Sequence, residues 1–179
     1  MKIRRTTVVV LMLVLVARAI AQPPAGNAEQ AKLQFLTGSF VTETSIPPSP
    51  VAPNGATGKG TSVISWSLDS AFLMIEEQSL NSVFGQYRGH GMLGFDRNVH
   101  QYVLSMFNNF GDHPTYSGTF AADTLVLQTK VPSPRGSFDQ KLVWYKDGDV
   151  VKLRVLNDQG KGYVVALDQT ATPVAQERR

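Results

Sequence analysis

Three histidines and a few charged side chains at strand spacing are the residues of this chain whose types could do chemistry. His90 and His100 stand on the two arms of one hairpin, Gly85 to Asp96 and back from Val99 to Leu104. If His100 pairs near Phe95, His90 lies about five residues further along, roughly 16 Å at the rise of a strand. Nitrogen ligands sit at about 2 Å from a metal ion, so the two cannot share one. His113 falls in a turn before Pro114, and nothing selects a metal site or a cofactor such as haem. The run Gly55-Ala56-Thr57-Gly58-Lys59-Gly60-Thr61 has the composition of a phosphate loop. That motif needs Gly where Pro53 stands and Ser or Thr where Gly60 stands, and a helix rather than a strand after it. The chain has no cysteine, no Gly-x-Ser-x-Gly elbow and no His-Glu-x-x-His. Glu76 and Glu77 are adjacent on a strand, so they point to opposite faces and cannot work as a pair. Arg88 and His90 share a face with Gln86. That line is either a set of polar anchors for an anionic head group inside a barrel or a solvated exterior.

A second periodic set is His100, Tyr102, Leu104, Met106 and Asn108, alternating with Val99, Gln101, Val103, Ser105 and Phe107. It runs from polar through apolar to polar, as a strand crossing a lumen would, and is read as inward-facing. Tyr102, Met106 and Asn108 then join Trp66, Tyr116 and Trp144 as the expected lining of an interior. That interior is either a pocket for a small apolar or amphipathic ligand or a close-packed core. An enzyme built on Arg88, His90 and Asn108 would need those groups to converge, and the facing assignment separates the first two from the third.

The elements that must position these residues are strands. Ser62, Ile64, Trp66 and Leu68 share one face, with Thr61, Ser65 and Ser67 on the other. Asp69-Ser70 turns the chain into a strand from Phe72 to Leu80. Phe138, Leu142 and Trp144 alternate with Asp139, Lys141 and Val143; Val151, Leu153 and Val155 alternate with Lys152 and Arg154; Tyr163, Val165 and Leu167 follow on one face. Apolarity at period two on one face is what a sheet with one dry side requires. With strands at 39–45, 115–121 and 124–131, about ten strands joined by tight turns are predicted. A sheet that long exposes two edges unless it closes, and the scarcity of long crossovers favours an up-and-down antiparallel β-barrel over a sandwich. Pro47-Pro48-Ser49-Pro50-Val51-Ala52-Pro53 can enter neither a helix nor a central strand and is expected as a surface connector, with a flap as the functional alternative. Before the strands, Asn27 as N-cap, Ala28, Ala31, Leu33, Phe35 and Leu36 as an apolar stripe and Gly38 as a stop predict a short N-terminal helix.

The ends carry targeting information. Lys2, Arg4 and Arg5 precede an apolar run from Val8 to Val16, and Ala19-Ile20-Ala21 offers a cleavage site. This reads as a signal peptide over 1–21, cut after Ala21, and hence an exported, periplasmic or secreted protein with no membrane span in the mature chain. The full chain has 17 Lys and Arg against 14 Asp and Glu, a net +3. Loss of Lys2, Arg4, Arg5 and Arg18 leaves 13 bases against 14 acids, so the electrostatic footprint of a nucleic-acid binder is missing. The expected divisions are the signal peptide, a linker over 22–30, a barrel domain over 31–169 and a disordered tail over 170–179.

Several segments carry a resemblance. Phe35-Leu36-Thr37-Gly38-Ser39-Phe40, then Trp66-Ser67-Leu68-Asp69 with Phe72-Leu73, then Gly89-His90-Gly91-Met92-Leu93-Gly94-Phe95-Asp96 with Tyr102, and Tyr116-Ser117-Gly118-Thr119-Phe120 occur in that order. Together they resemble the bacterial domain-of-unknown-function family 1579. The resemblance implies a calycin-like barrel, distantly similar to lipocalins and fatty-acid-binding proteins, with an internal pocket and no reaction to carry over. Departures accompany it. Phe40 and Met106 stand where the family more often has Trp. Asn108 stands where Asp would be expected, which removes any acid–base role there, and the last strand lacks the usual closing Tyr-x-Arg. The function expected is therefore a non-catalytic barrel for a small apolar or amphipathic ligand. An enzyme acting within the barrel and a structural or interaction protein with a filled core are the alternatives.

Overall fold

The computed structural model describes residues 28–134 and 136–174. The expected signal peptide, residues 22–27 with the Asn27 cap, and 175–179 lie outside the described residues. The helix α1 (Ala28–Ala31) runs directly into a 3-10 turn, Lys32–Leu36, so residues 28–30 are helical rather than linker. Among the described residues ten strands follow: β1 (Gly38–Ile46), β2 (Ala56–Ser67), β3 (Phe72–Asn81), β4 (Gly85–Asp96), β5 (Gln101–Asn108), β6 (Thr115–Ala121), β7 (Thr124–Ser133), β8 (Gly136–Asp147), β9 (Val150–Asp158) and β10 (Tyr163–Pro173).

Each strand pairs antiparallel with the next, and β10 returns to β1 from Phe40↔Pro173 to Ser45↔Asp168, closing the barrel. Closure satisfies the backbone groups that an open edge would leave unpaired. Alternation does the rest: on β3, Leu73 and Ile75 are buried while Phe72, Glu76, Gln78 and Leu80 are exposed. Tight turns join most strands. Gly148 links β8 to β9 at φ 59, the left-handed conformation that suits the twist of a hairpin.

Three expectations about facing are corrected. Leu68 is not on the inward face of β2; it sits in the β2–β3 turn at φ 50 and is exposed. His100 likewise lies in the β4–β5 turn at φ 54, exposed, with its ring stacked on Phe95 at 6.4 Å. On β10 the register shifts between Val165 and Leu167, so Ala166 is an extra residue and the alternation changes phase there. Val165 pairs with Leu156 on the outer side, Tyr163 carries Lys141 over its ring at 3.9 Å on that same side, and Leu167 enters the lumen. β10 also continues through Thr170 and Ala171 to Pro173, with Ala171 buried, so the stretch expected as a tail from 170 begins as barrel wall.

The two ends differ. At one, Leu33 and Leu36 of the 3-10 turn are fully buried against the barrel mouth, and Phe35 packs edge-on to Phe120 at 6.3 Å. At the other, the connections 47–55, 82–84 and 109–114 surround an opening. The Pro-rich connection folds back on itself through a Ser49↔Ala52 bridge with Ala52 buried.

Candidate functional site

The open half of the lumen encloses a cavity of about 340 Å³. Several inward positions in this half of the barrel are small: Gly58 and Gly60 on β2, Ser79 on β3, and Gly89 and Gly91 on β4. The glycines of β4 also let neighbours lie flat against the wall. A Cβ on Gly91 would meet the Met106 sulfur at 2.2 Å, and one on Gly89 would meet the Tyr87 hydroxyl at 2.5 Å. This is the structural content of the glycine-rich hairpin.

Four of the six residues expected as lining surround this cavity: Met106, Asn108, Tyr116 and Trp144. The other two do not reach it. Tyr102 is buried at the helix end, its hydroxyl 2.7 Å from both the carbonyl oxygen and a carboxylate oxygen of Glu29. Trp66 donates its indole N–H to Gln34 Oε1 at 3.0 Å, again beneath the helix. Both aromatics therefore anchor the helical plug. Burial, then the bond to Glu29, raises the Tyr102 pKa, while the Lys32 ammonium, followed by Tyr102, lowers that of Glu29.

Arg88 and His90, the candidate polar anchors, lie on the outer wall. His90 Nδ1 is 2.7 Å from Glu76 Oε1, both half-exposed, and the two candidate anchors border a groove outside the barrel with Thr61 and Phe107. Asn108 also borders that groove, but strand alternation sends the Arg88 and His90 side chains away from the lumen that Asn108 lines as well. Asn108 instead builds the mouth: its Oδ1 accepts the backbone N–H of Phe110 at 2.9 Å and of Asp112 at 3.1 Å. Asn81, at the end of β3, does the same, accepting from Val83 at 2.8 Å and Phe84 at 3.0 Å. Asx turns of this kind fix short loops, and here they hold Phe84 and Phe110 at the entrance.

Polar groups missed by sequence reasoning punctuate the apolar wall. Glu77, from the pair of adjacent glutamates, is the member that faces in. Its carboxylate accepts a short hydrogen bond from Gln169 Nε2 of β10. Burial raises its pKa, and the Gln169 bond offsets part of that. The Tyr87 phenol is pushed above its ordinary value, by burial first and then by the Glu77 charge. Tyr116 donates to Gln140 Oε1 at 2.6 Å, and Gln140 donates in turn to Asn157 Oδ1 at 2.9 Å. Burial, then the Asp112 charge, moves the Tyr116 phenol up to about 12. Just below, Thr42 Oγ1 is buried without a hydrogen-bond partner. Among the described residues no Lys, Arg or His lines this cavity, and no cluster of potential metal ligands occurs.

No family model and no curated protein matches this chain. Among solved structures, that of EF1p2_mFAP2b bound to DFHBI is similar, with 13% identity, a TM-score of 0.44, and coverage of 82% of this chain and 99% of that one. The class of this protein is given by its own strand ladder: an all-β, closed, ten-stranded antiparallel barrel with one short helical segment near the N-terminal side.

Proposed function

We propose that this chain is a non-catalytic binding barrel that takes a small apolar or amphipathic molecule into the open half of its lumen. The observation that carries the reading is the cavity of about 340 Å³, walled by Trp144, Leu142, Leu153, Val155 and Met106 and interrupted by polar side chains such as Glu77, Gln140 and Gln169. Mostly apolar linings with a small number of placed polar groups are the ordinary chemistry of such pockets. Exposed Val51, Val83, Phe84 and Phe110 around the mouth support it, since an apolar rim eases passage of an apolar guest. The separation of Arg88 and His90 from the lumen weighs against an enzyme built on them. In the same proposal the protein is exported after cleavage behind Ala21 and is a relative of family 1579, resting on the basic head, apolar run and small-residue site, and on the quoted motifs.

Native mass spectrometry of the mature protein, with titration of the neutral dye 1-aminoanthracene, tests the binding reading. Stoichiometric dye uptake with energy transfer from Trp144, abolished by Leu153→Trp to fill the lumen, is expected. An empty barrel that takes up no dye would refute it. An N-terminus at Gln22 in material recovered from an exporting host is the expected sign of cleavage.

A further inference from the structure

Among the described residues the cavity is lined by one acid and by no Lys, Arg or His. Glu77 pairs with Ser62 on β2 and Gly89 on β4, and its carboxylate is held by the Gln169 amide from across the barrel. A carboxylate can accept about four hydrogen bonds. Among the described residues Gln169 supplies the side-chain donor, and Glu77 otherwise borders the cavity. Several of the other polar groups are committed elsewhere: Tyr116 to Gln140, Gln140 to Asn157, and Asn108 and Asn81 to their loops, while Thr44, Ser79 and Tyr87 add hydroxyls to the lining. The cavity thus has unmet acceptor capacity at one point and no cation to receive an anion. A second negative charge there would be desolvated beside the first, which is strongly unfavourable, whereas a donor brought by the ligand would satisfy the buried group.

We infer that the ligand of this cavity presents a hydrogen-bond donor to the Glu77 carboxyl, with a protonated amine as the best such group, and that the site rejects ligands whose polar end is a carboxylate. This rests on the binding reading above and adds the chemical class of the guest. Fatty acids are thereby disfavoured, since among the described residues no Arg or Lys lines the cavity to hold their head group. Tyr87 from β4 feels the Glu77 charge and Tyr116 from β6 shares the cavity wall, both with raised pKa values and so neutral at physiological pH, while Asp112 on the loop after β5 acts on these two phenols. The other facing neighbours of Glu77 are Ser62, Asn108 and Gln169, which do not ionise.

Octylamine, octanol and octanoate share one tail and differ at the head, and calorimetric titration of each into the mature protein at pH 8 reads the preference. Octylamine is expected to bind at least tenfold more tightly than octanoate, with octanol between. Glu77→Gln should bring amine and carboxylate within about threefold. A second reading needs no variant: the amine keeps its charge at lower pH, so its advantage over octanol should shrink as Glu77 takes up a proton, and should do so equally in Asp112→Asn. Octanoate binding as tightly as octylamine, or a ratio unmoved by Glu77→Gln and by pH, overturns the inference while leaving the pocket intact. If none of the three binds, the pocket reading falls and takes the inference with it.

Discussion

At the helix end of the barrel, inward positions carry Leu73, Leu93, Leu125 and Leu127, all with 0% exposure, closed off by Leu33 and Leu36. At the open end, the same alternation places Ser79, Asn108, Gln140 and Gln169, and a cavity opens between them. One ladder of hydrogen bonds supports both halves, so the backbone does not distinguish them. Side-chain packing does: leucines interlock to the density of an organic solid, while the mixed polar and apolar side chains of the open half leave a cavity between them. The lesson is a division of labour. The packed half supplies the stability that lets the other half stay hollow.

Truncations should break this contrast most visibly. Leu93→Ala in the packed half should cost about 3 kcal/mol in urea-induced unfolding, the range for a fully buried leucine. Leu167→Ala on the cavity wall should cost about half as much, because its side chain already borders empty space. Equal costs would mean that the halves are equally packed. Next in size is Gly91→Ala. Its new methyl would meet the Met106 sulfur, which must swing into the lumen. We expect a loss of about 1–2 kcal/mol, as for overpacking, together with weaker uptake of 1-aminoanthracene.

Glu77→Gln sharpens the comparison through pH. Burial raises the Glu77 pKa above the ordinary glutamate value, so the folded chain holds that proton more tightly than the unfolded chain. Stability contributed by the group is therefore greatest below its ordinary value and is lost as pH rises through the raised one. Relative to the parent, Glu77→Gln should gain melting temperature at pH 8 and gain nothing at pH 4. The smallest effect is expected from Thr42→Val, which removes a buried hydroxyl without a partner and keeps the shape. It should be neutral or stabilising by about 1 kcal/mol in the same unfolding assay.

Much of the fold was legible along the chain. Alternation in β2, β5, β8 and β9 marked strands and, between Tyr102 and Asn108, the correct inner face. Where reading failed, a local rule was overridden at a point no local signal marks. The bulge at Ala166 reversed the phase of β10, and pairing with Phe40 and Val41 carried that strand through residues whose composition suggests a loose end. Trp66 and Tyr102 face inward as alternation requires, yet they serve the helical plug, because depth along the barrel depends on how strands are staggered. Glu77 shows the limit best. Adjacent glutamates must face opposite ways, but both faces of β3 carry apolar and polar residues, so alternation does not say which carboxylate is enclosed.

What the chain determined alone was therefore the strands, their turns and the closure that follows from leaving no edge exposed, since these depend on neighbours in sequence. What only the assembled barrel decided was where the hollow lies and which acid faces it. Those depend on the register of ten strands at once, and a shift of one residue in any of them exchanges inside for outside.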